Sequence, residues 1–596
     1  MSVKNHNPYL DEFLRFYSQS DTSTGGTRGY DSKTYVETKL DENLTPAIFD
    51  PKTKLVILSG NAGDGKTAYI QRVEAQARTD AATVISQNDN GTSFSRGTVS
   101  FQTLYDGSQD FEGTKNDDVL AQFFKEFEGD QAPTGNFTKI IAINEGKLRD
   151  FILGKPEYRW LGKQVYHYLN YDGFVPHECL IFVNLNSRSV VDTADSAGSI
   201  LDKLLDRLLD IDDKVGFWKP CAAENCAFAD RCYVKYNVDS LRDPKKGPII
   251  RLRLKRLLLA IHFRKTRHIT MRDLRSILSF VLFNKSSCSQ LQADLDGGNS
   301  VLDRFYYNAV FDGQENDRLA QLLSQLDVAG VSNPKLDNLI NFRGPDDPES
   351  RALFSQSEHV ASTDTEHLSI LFKNRPEGTL DTDETRRRNA RNYHASFRRK
   401  LYFEGDESKL SQRGLPIPAD LLPYRQFDRF MQFISTKSDP DGKLRDLLTL
   451  AISKSERIYN ETVGREKLCL RSGGSRRSHT KAFYAFPASD FQVSVEDIGK
   501  QGEYIEYLPT CIYYRPLDMS ASLEIPIDLF EVLCRIHEGY VPTASEIQTF
   551  FLNLDMFKRR LTCRPSDRII LTDDDTNLFE VSRTPDLKLA MTKLGG

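Results

Sequence analysis

Runs of consecutive apolar residues recur along the first third of the chain, each followed by a stretch with helical spacing. Lys54-Leu-Val-Ile-Leu-Ser59 is one such run, and Lys139-Ile-Ile-Ala-Ile and Cys179-Leu-Ile-Phe-Val are others. An uninterrupted apolar run is what a strand covered on both faces requires. Residues 68–77, 117–127 and 198–210 bring apolar side chains to one helical face, the last most strongly. Ala82-Thr-Val-Ile-Ser86 and the segment from Thr98 to Tyr105 are weaker strand candidates, separated by a polar loop from Gln87 to Arg96. Alternation of strand and helix from about residue 54 to 210 predicts an α/β fold. Its core should have three layers around a mostly parallel sheet.

Past residue 210 the period changes. Pro248–His262 and His268–Phe283 read as two long helices, the second N-capped by Thr270. Residues 302–345 are helical in pattern, and 346–385 are acidic, polar and rich in turn formers. Short alternating runs between 482 and 516 predict antiparallel strands, followed by two helices and a small final sheet. At the other end, residues 8–18 have the pattern of a short amphipathic helix, and Ser18 to Tyr30 that of a loop. The expected divisions are 1–45, N-terminal helix and loop; 46–212, α/β core; 213–245, cysteine-rich insertion; and 246–345, helical lid. A linker and basic helical region over 346–480 and a C-terminal α+β domain over 481–596 complete the chain.

Between the first apolar run and its helix lies Gly60-Asn61-Ala62-Gly63-Asp64-Gly65-Lys66-Thr67. It fits G-x-x-x-x-G-K-[ST] at every fixed position, in the strand–loop–helix order the motif needs. Glycines let backbone N–H groups turn inward around phosphates. Lys66 then reaches the β- and γ-phosphates, the Thr67 hydroxyl ligates Mg²⁺, and Ala68 continues the helix whose N-terminus faces the anion. ATP and Mg²⁺ are therefore the expected ligands.

Other strand ends carry polar residues. Asp106 either closes a strand as the acid that holds Mg²⁺ through water, or sits with Gly107 in a turn after an alternating edge strand. Asn144 either senses the γ-phosphate and holds the attacking water or caps a helix. Glu145 beside it is the candidate base for that water. Arg188 either reaches a phosphate or pairs with a surface acid. In the segment His268-Ile-Thr-Met-Arg-Asp-Leu, Arg272 either touches the γ-phosphate when a lid closes or, like Arg275, is a solvated helix charge.

Cys221, Cys226 and Cys232 fall in a C-x4-C-x5-C spacing. A structural Zn²⁺ needs four ligands, and Cys179 or His177 is the candidate fourth; a [4Fe–4S] cluster would also fit four thiolates. The other reading is a knuckle of reduced thiols.

Composition narrows the class. At 596 residues, with 39% hydrophobic and 27% charged residues, the chain reads as a soluble globular protein of several domains. Nine cysteines, mostly scattered, suit a reducing cytosol, and the polar N-terminus is no signal peptide. A cytoplasmic location without membrane contact is expected. The net charge of −5 leaves DNA binding to local patches. Two are candidates. Thr385–Phe403 holds seven basic residues among aromatics, and Arg471–Lys481 is a basic loop. The first could equally be a solvated face balancing the acidic stretch before it.

The phosphate loop, Asn144-Glu-Gly, Asn184-Leu-Asn-Ser-Arg188, the cysteine knuckle and His268–Leu274 occur in one order. In that order the chain resembles the DptF family, the ATPase component of DNA phosphorothioation-dependent restriction systems in bacterial antiphage defence. The resemblance implies an AAA+-like or STAND-like P-loop ATPase with Lys66 and Thr67 as nucleotide ligands and Asn144 and Arg272 as sensors. It implies helicase or nuclease partner subunits, and homo-oligomerisation is compatible with it. The segment ending at Asp106 departs from the usual apolar run with paired acids. A regulatory ATP-binding scaffold that turns over slowly and touches no nucleic acid is the alternative.

Overall fold

A computed structural model describes residues 6–17, 35–170, 174–194, 198–314, 317–357, 360, 362–376, 378, 381–458, 460–472, 480–563, 568–573, 577–584, 586 and 588–594. The expected loop from Ser18 to Tyr30, and residues 473–479 of the basic loop, lie outside these. Two compact units emerge. The first comprises Met1–Ile261, His268–Pro423 and Ile498–Leu508; the second comprises His262–Arg267, Tyr424–Asp497 and Pro509–Gly596.

The first unit is built on a six-stranded mixed sheet. Its strands are β1 (Leu55–Ser59), β2 (Thr83–Asn88), β3 (Gly91–Arg96), β4 (Val99–Leu104), β5 (Phe137–Ile143) and β6 (Leu180–Asn184), in the order β2-β3-β4-β5-β1-β6. β4, β5, β1 and β6 run parallel, while β2 and β3 add an antiparallel edge. β1 is buried along its whole length and feeds both faces. Val56 and Leu58 pack with Ile70 and Val73 of the helix Lys66–Thr79, whereas Leu55 and Ile57 pack with Phe123, Leu148 and Phe151 on the other side. Helices thus cover both faces, as parallel strands require.

The edge corrects the expectation of a loop from Gln87 to Arg96: those residues are largely β3 and the turn before it. β2 is solvent-exposed at all six positions, so it needs no apolar pattern. β4 is not an edge strand. Its polar residues are explained by Glu74, a buried carboxylate on the helix Lys66–Thr79. Thr103 donates to it at 2.6 Å, Tyr105 at 2.6 Å and Thr92 at 3.0 Å. A buried carboxylate is tolerated where donors surround it.

Helices from Tyr233 to Glu404 make up the rest of the first unit. Gly247–Phe263 and Met271–Phe283 match the two long helices read from the sequence, and Thr270 with Asp273 forms a capping box. A buried polar set ties these helices together. Glu404 receives the Tyr306 hydroxyl at 2.5 Å and Lys246 at 2.7 Å, and Lys400 meets Asp364 at 2.5 Å. Among the described residues no helix is long and apolar enough to cross a membrane.

The second unit begins at Tyr424, not at 481, because Phe427–Thr436 and Lys443–Ser455 are amphipathic helices belonging to it. Its strands are β7 (Lys467–Arg471), β8 (Thr480–Pro487), β9 (Phe491–Val495), β10 (Ile512–Pro516), β11 (Leu523–Ile525), β12 (Arg568–Asp573), β13 (Asn577–Arg583) and β14 (Leu589–Leu594). They form antiparallel sheets ordered β14-β13-β12-β8-β7 and β11-β10-β9. Residues 504–507, read as a strand, instead join the first unit.

Candidate functional site

Register places the polar strand ends on one rim. Ser59 at the end of β1 pairs with Ile143 on one side and Asn184 on the other, and Leu104 of β4 pairs with Ile141. Asp106, Asn144, Asn184 and the Gly60–Thr67 loop therefore all lie at the carboxyl ends of parallel strands, where α/β sheets bind ligands.

The loop is shaped from within by Asp64. Its side chain is 1% exposed; Oδ2 accepts the Asn61 N–H at 2.6 Å and Oδ1 lies 2.9 Å from His268 Nε2. Gly60 has φ +146°, and a Cβ there would sit 2.7 Å from Asp64 Oδ2, so only glycine lets the carboxylate fold under the loop. Gly63, at φ +99°, faces the N-terminus of Met271–Phe283. Its carbonyl accepts the Arg272 N–H at 3.1 Å, and a Cβ would meet Arg272 Cβ at 2.9 Å. The expected lid segment thus lies directly on the loop.

Lys66 Nζ donates to the carbonyls of Gly60 and Asn61, both at 2.8 Å. Burial pulls its pKa below the ordinary lysine value; Asp64 and Asp106 oppose that, and Arg188 and Arg272 reinforce it. Three cations therefore converge on the loop. The N–H groups of Gly65, Lys66 and Thr67 start the helix, where no internal acceptor exists for them, and no side chain caps it. Thr67 donates to the Tyr105 carbonyl at 3.3 Å, which puts its hydroxyl beside the Asp106 backbone. Asn61, Ala62 and Ala68 complete the segment, Asn61 also donating to Asn186 Oδ1 at 3.1 Å.

Asp106 lies in the turn after β4, where its carboxylate accepts the Ser108 N–H at 2.8 Å. Asp106 thus follows an interior strand and sits in a turn. Asn144 is exposed and caps the helix Glu145–Leu153, Oδ1 taking the Gly146 N–H at 2.9 Å. Burial raises the Glu145 carboxyl above the usual glutamate range, as a proton acceptor near neutral pH needs. Arg188 does not pair with a surface acid. It is 4% exposed, donates to the Asp64 carbonyl and leaves Nε buried without a partner. Arg272 has its side chain exposed beside Gly63. His268 and Asp64 were not singled out for this link; the histidine two residues before the Thr270 cap was the available signal.

The cysteines regroup. Cys221, Cys226 and Cys232 line one cavity with Cys288, at the start of the helix Cys288–Asp296. Cys179 is elsewhere, buried at the foot of β6 with its sulfur 3.1 Å from His177 Nδ1, so neither residue joins the three. Among the described residues, no three His, Cys, Asp or Glu side chains are arranged as they stand to hold a metal ion.

The basic helix Glu384–Glu404 spends much of its charge inside the first unit. Arg398 pairs with Asp337, Arg399 with Asp327 at 2.6 Å and Lys400 with Asp364. Arg386 and Arg391 meet the local acids Asp381 and Glu384 at 3.0 and 2.5 Å.

Comparison with family models, curated proteins and solved structures finds no match to this chain.

Proposed function

We propose that the chain is a P-loop ATPase of AAA+-like type. In this reading it is a motor or switch subunit of a bacterial antiphage DNA restriction complex, as the DptF resemblance implies. The carrying observation is the convergence of Lys66, Arg188 and Arg272 on a glycine-shaped loop that opens a helix with uncapped amides. That arrangement suits a polyphosphate and little else. The loop amides and Lys66 hold the β- and γ-phosphates. Thr67, with Asp106 behind it, would hold Mg²⁺, which would supply charge neutralisation at the phosphates. Glu145 takes the proton of the attacking water, Asn144 orients that water, and Arg272 carries the nucleotide state to the helix it begins.

A second reading is a regulatory ATP-binding scaffold with slow turnover and no DNA contact. The internal pairing of Arg398, Arg399 and Lys400 favours it, because those charges are already committed.

ATP binding and turnover, measured with and without duplex DNA, test both. Retention of Mg·ATP is expected, weakened by about 10- to 100-fold in Lys66→Ala, the loss of one charge-assisted phosphate contact. DNA-stimulated turnover supports the motor, and binding without stimulation supports the scaffold. Failure to retain ATP at millimolar concentration overturns both.

A further inference from the structure

Four thiols from two distant parts of the chain meet in one place. Cys221, Cys226 and Cys232 lie in the knuckle before the helix Tyr233–Arg242, and Cys288 lies more than fifty residues on. Together they line a cavity of about 30 Å³, a volume comparable to one water's share of liquid.

Burial raises the Cys221, Cys232 and Cys288 thiols, so all three stay protonated until an ion takes them. Asn7 Nδ2 donates to Cys221 Sγ at 3.3 Å, and the Lys235 N–H donates to Cys232 Sγ at 3.5 Å. Lys235 also lines the cavity. The Lys235 N–H is also the first-turn donor that Cys232 caps, and metal thiolates are regularly held by such N–H groups outside the ligand set.

We propose that Cys221, Cys226, Cys232 and Cys288 bind one Zn²⁺ as a closed tetrathiolate site. The proposal is independent of the nucleotide reading. As the side chains stand they do not form a ligating group, so binding turns the sulfurs inward by rotation about χ1. Each thiol gives its proton to solvent, four protons leave, and the site carries a net charge of −2. The Asn7 amide and the Lys235 backbone N–H offset part of that charge, the Lys235 ammonium being paired with Asp239. Four sulfurs leave no open position, so the ion is structural. Zinc here joins three segments: the residue that leads into the helix Pro8–Tyr17, the knuckle, and the helix that follows Met271–Phe283.

Metal analysis of the full chain from zinc-replete cells should find about one zinc per chain. Cys288→Ser should lose most of it, Cys288→His should keep it as a Cys₃His set, and Cys179→Ser should not change it. Should Cys288→Ser fail to fold, the wild-type chain grown on cobalt supplies the second test. A tetrahedral tetrathiolate cobalt spectrum is expected, with four thiols becoming reactive when the metal is chelated. Absence of metal, four irons with acid-labile sulfide, or undiminished zinc in folded Cys288→Ser would each overturn the proposal.

Discussion

The imidazole of His268 lies 2.9 Å from the carboxylate of Asp64, joining the floor of the loop to the segment that covers it. The carboxylate's other oxygen is taken by the Asn61 N–H, so one buried group sets both loop shape and lid position. His268→Ala is expected to cost about 1–3 kcal/mol, the penalty of a buried acceptor left short of a partner. Paired with Asp64→Ala in a double-mutant cycle, it should show a coupling of about 0.5–3 kcal/mol in denaturant unfolding. Additive effects would mean the contact carries no energy.

Gly63→Ala should separate loop from lid by steric means. Its φ of +99° disfavours any side chain, and the new methyl meets Arg272 Cβ at 2.9 Å. A destabilisation of about 1–3 kcal/mol is expected, with faster proteolysis between Phe263 and Thr270. Unchanged proteolysis would show that the two segments do not depend on this contact.

Burial raises the Glu145 pKa, so the folded state holds that proton more tightly than the unfolded chain. Stability contributed by this group is therefore present at low pH and declines as pH rises from the ordinary glutamate range through the folded value. Glu145→Gln should remove the decline. If Glu145 is the base, the acid limb of the turnover profile lies above the ordinary glutamate range, and Gln lowers turnover by about 10²–10⁴-fold. A wild-type rate independent of pH between 4 and 7 would exclude it from that role.

Arginines 386–388 differ from the basic residues further along the same helix. All three are exposed, and Arg386 is held by the nearby acids Asp381 and Asp383. Reversing the three to Glu should leave stability within about 0.5 kcal/mol. If this face meets DNA, reversal should also flatten the salt dependence of binding. Lys400→Met, in contrast, strands the buried Asp364 and should cost about 3–5 kcal/mol. Equal stability losses for both variants would contradict this division of the helix.

The parts of the fold legible in sequence are those decided by burial alone. β1, β5 and β6 are apolar because helices cover both faces, and the Gly60–Thr67 motif carries its own geometry. β2 was legible only weakly because an exposed antiparallel edge needs no apolar run, and β3 escaped because its one large apolar residue, Phe94, is flanked by polar ones. β4 was ambiguous because Thr103 and Tyr105 answer to Glu74, a partner visible only once the helix Lys66–Thr79 is packed. The same limit hid Arg188, whose placement depends on the Asp64 carbonyl, and Cys288, separated from its neighbours by three helices.

Residues 498–508 return from the far part of the chain to finish the first unit. Ile505 is fully buried with Val56 and Leu58, the Ser189 N–H donates to the Glu506 carbonyl at 2.8 Å, and Gln501 receives the Asn184 N–H at 3.2 Å. A growing polypeptide therefore cannot seal the hydrophobic interior beside β6 until roughly the last sixth of it is being translated. Premature termination upstream of Ile498 would leave a greasy cleft next to the Gly60–Thr67 loop, a ready target for quality-control proteases.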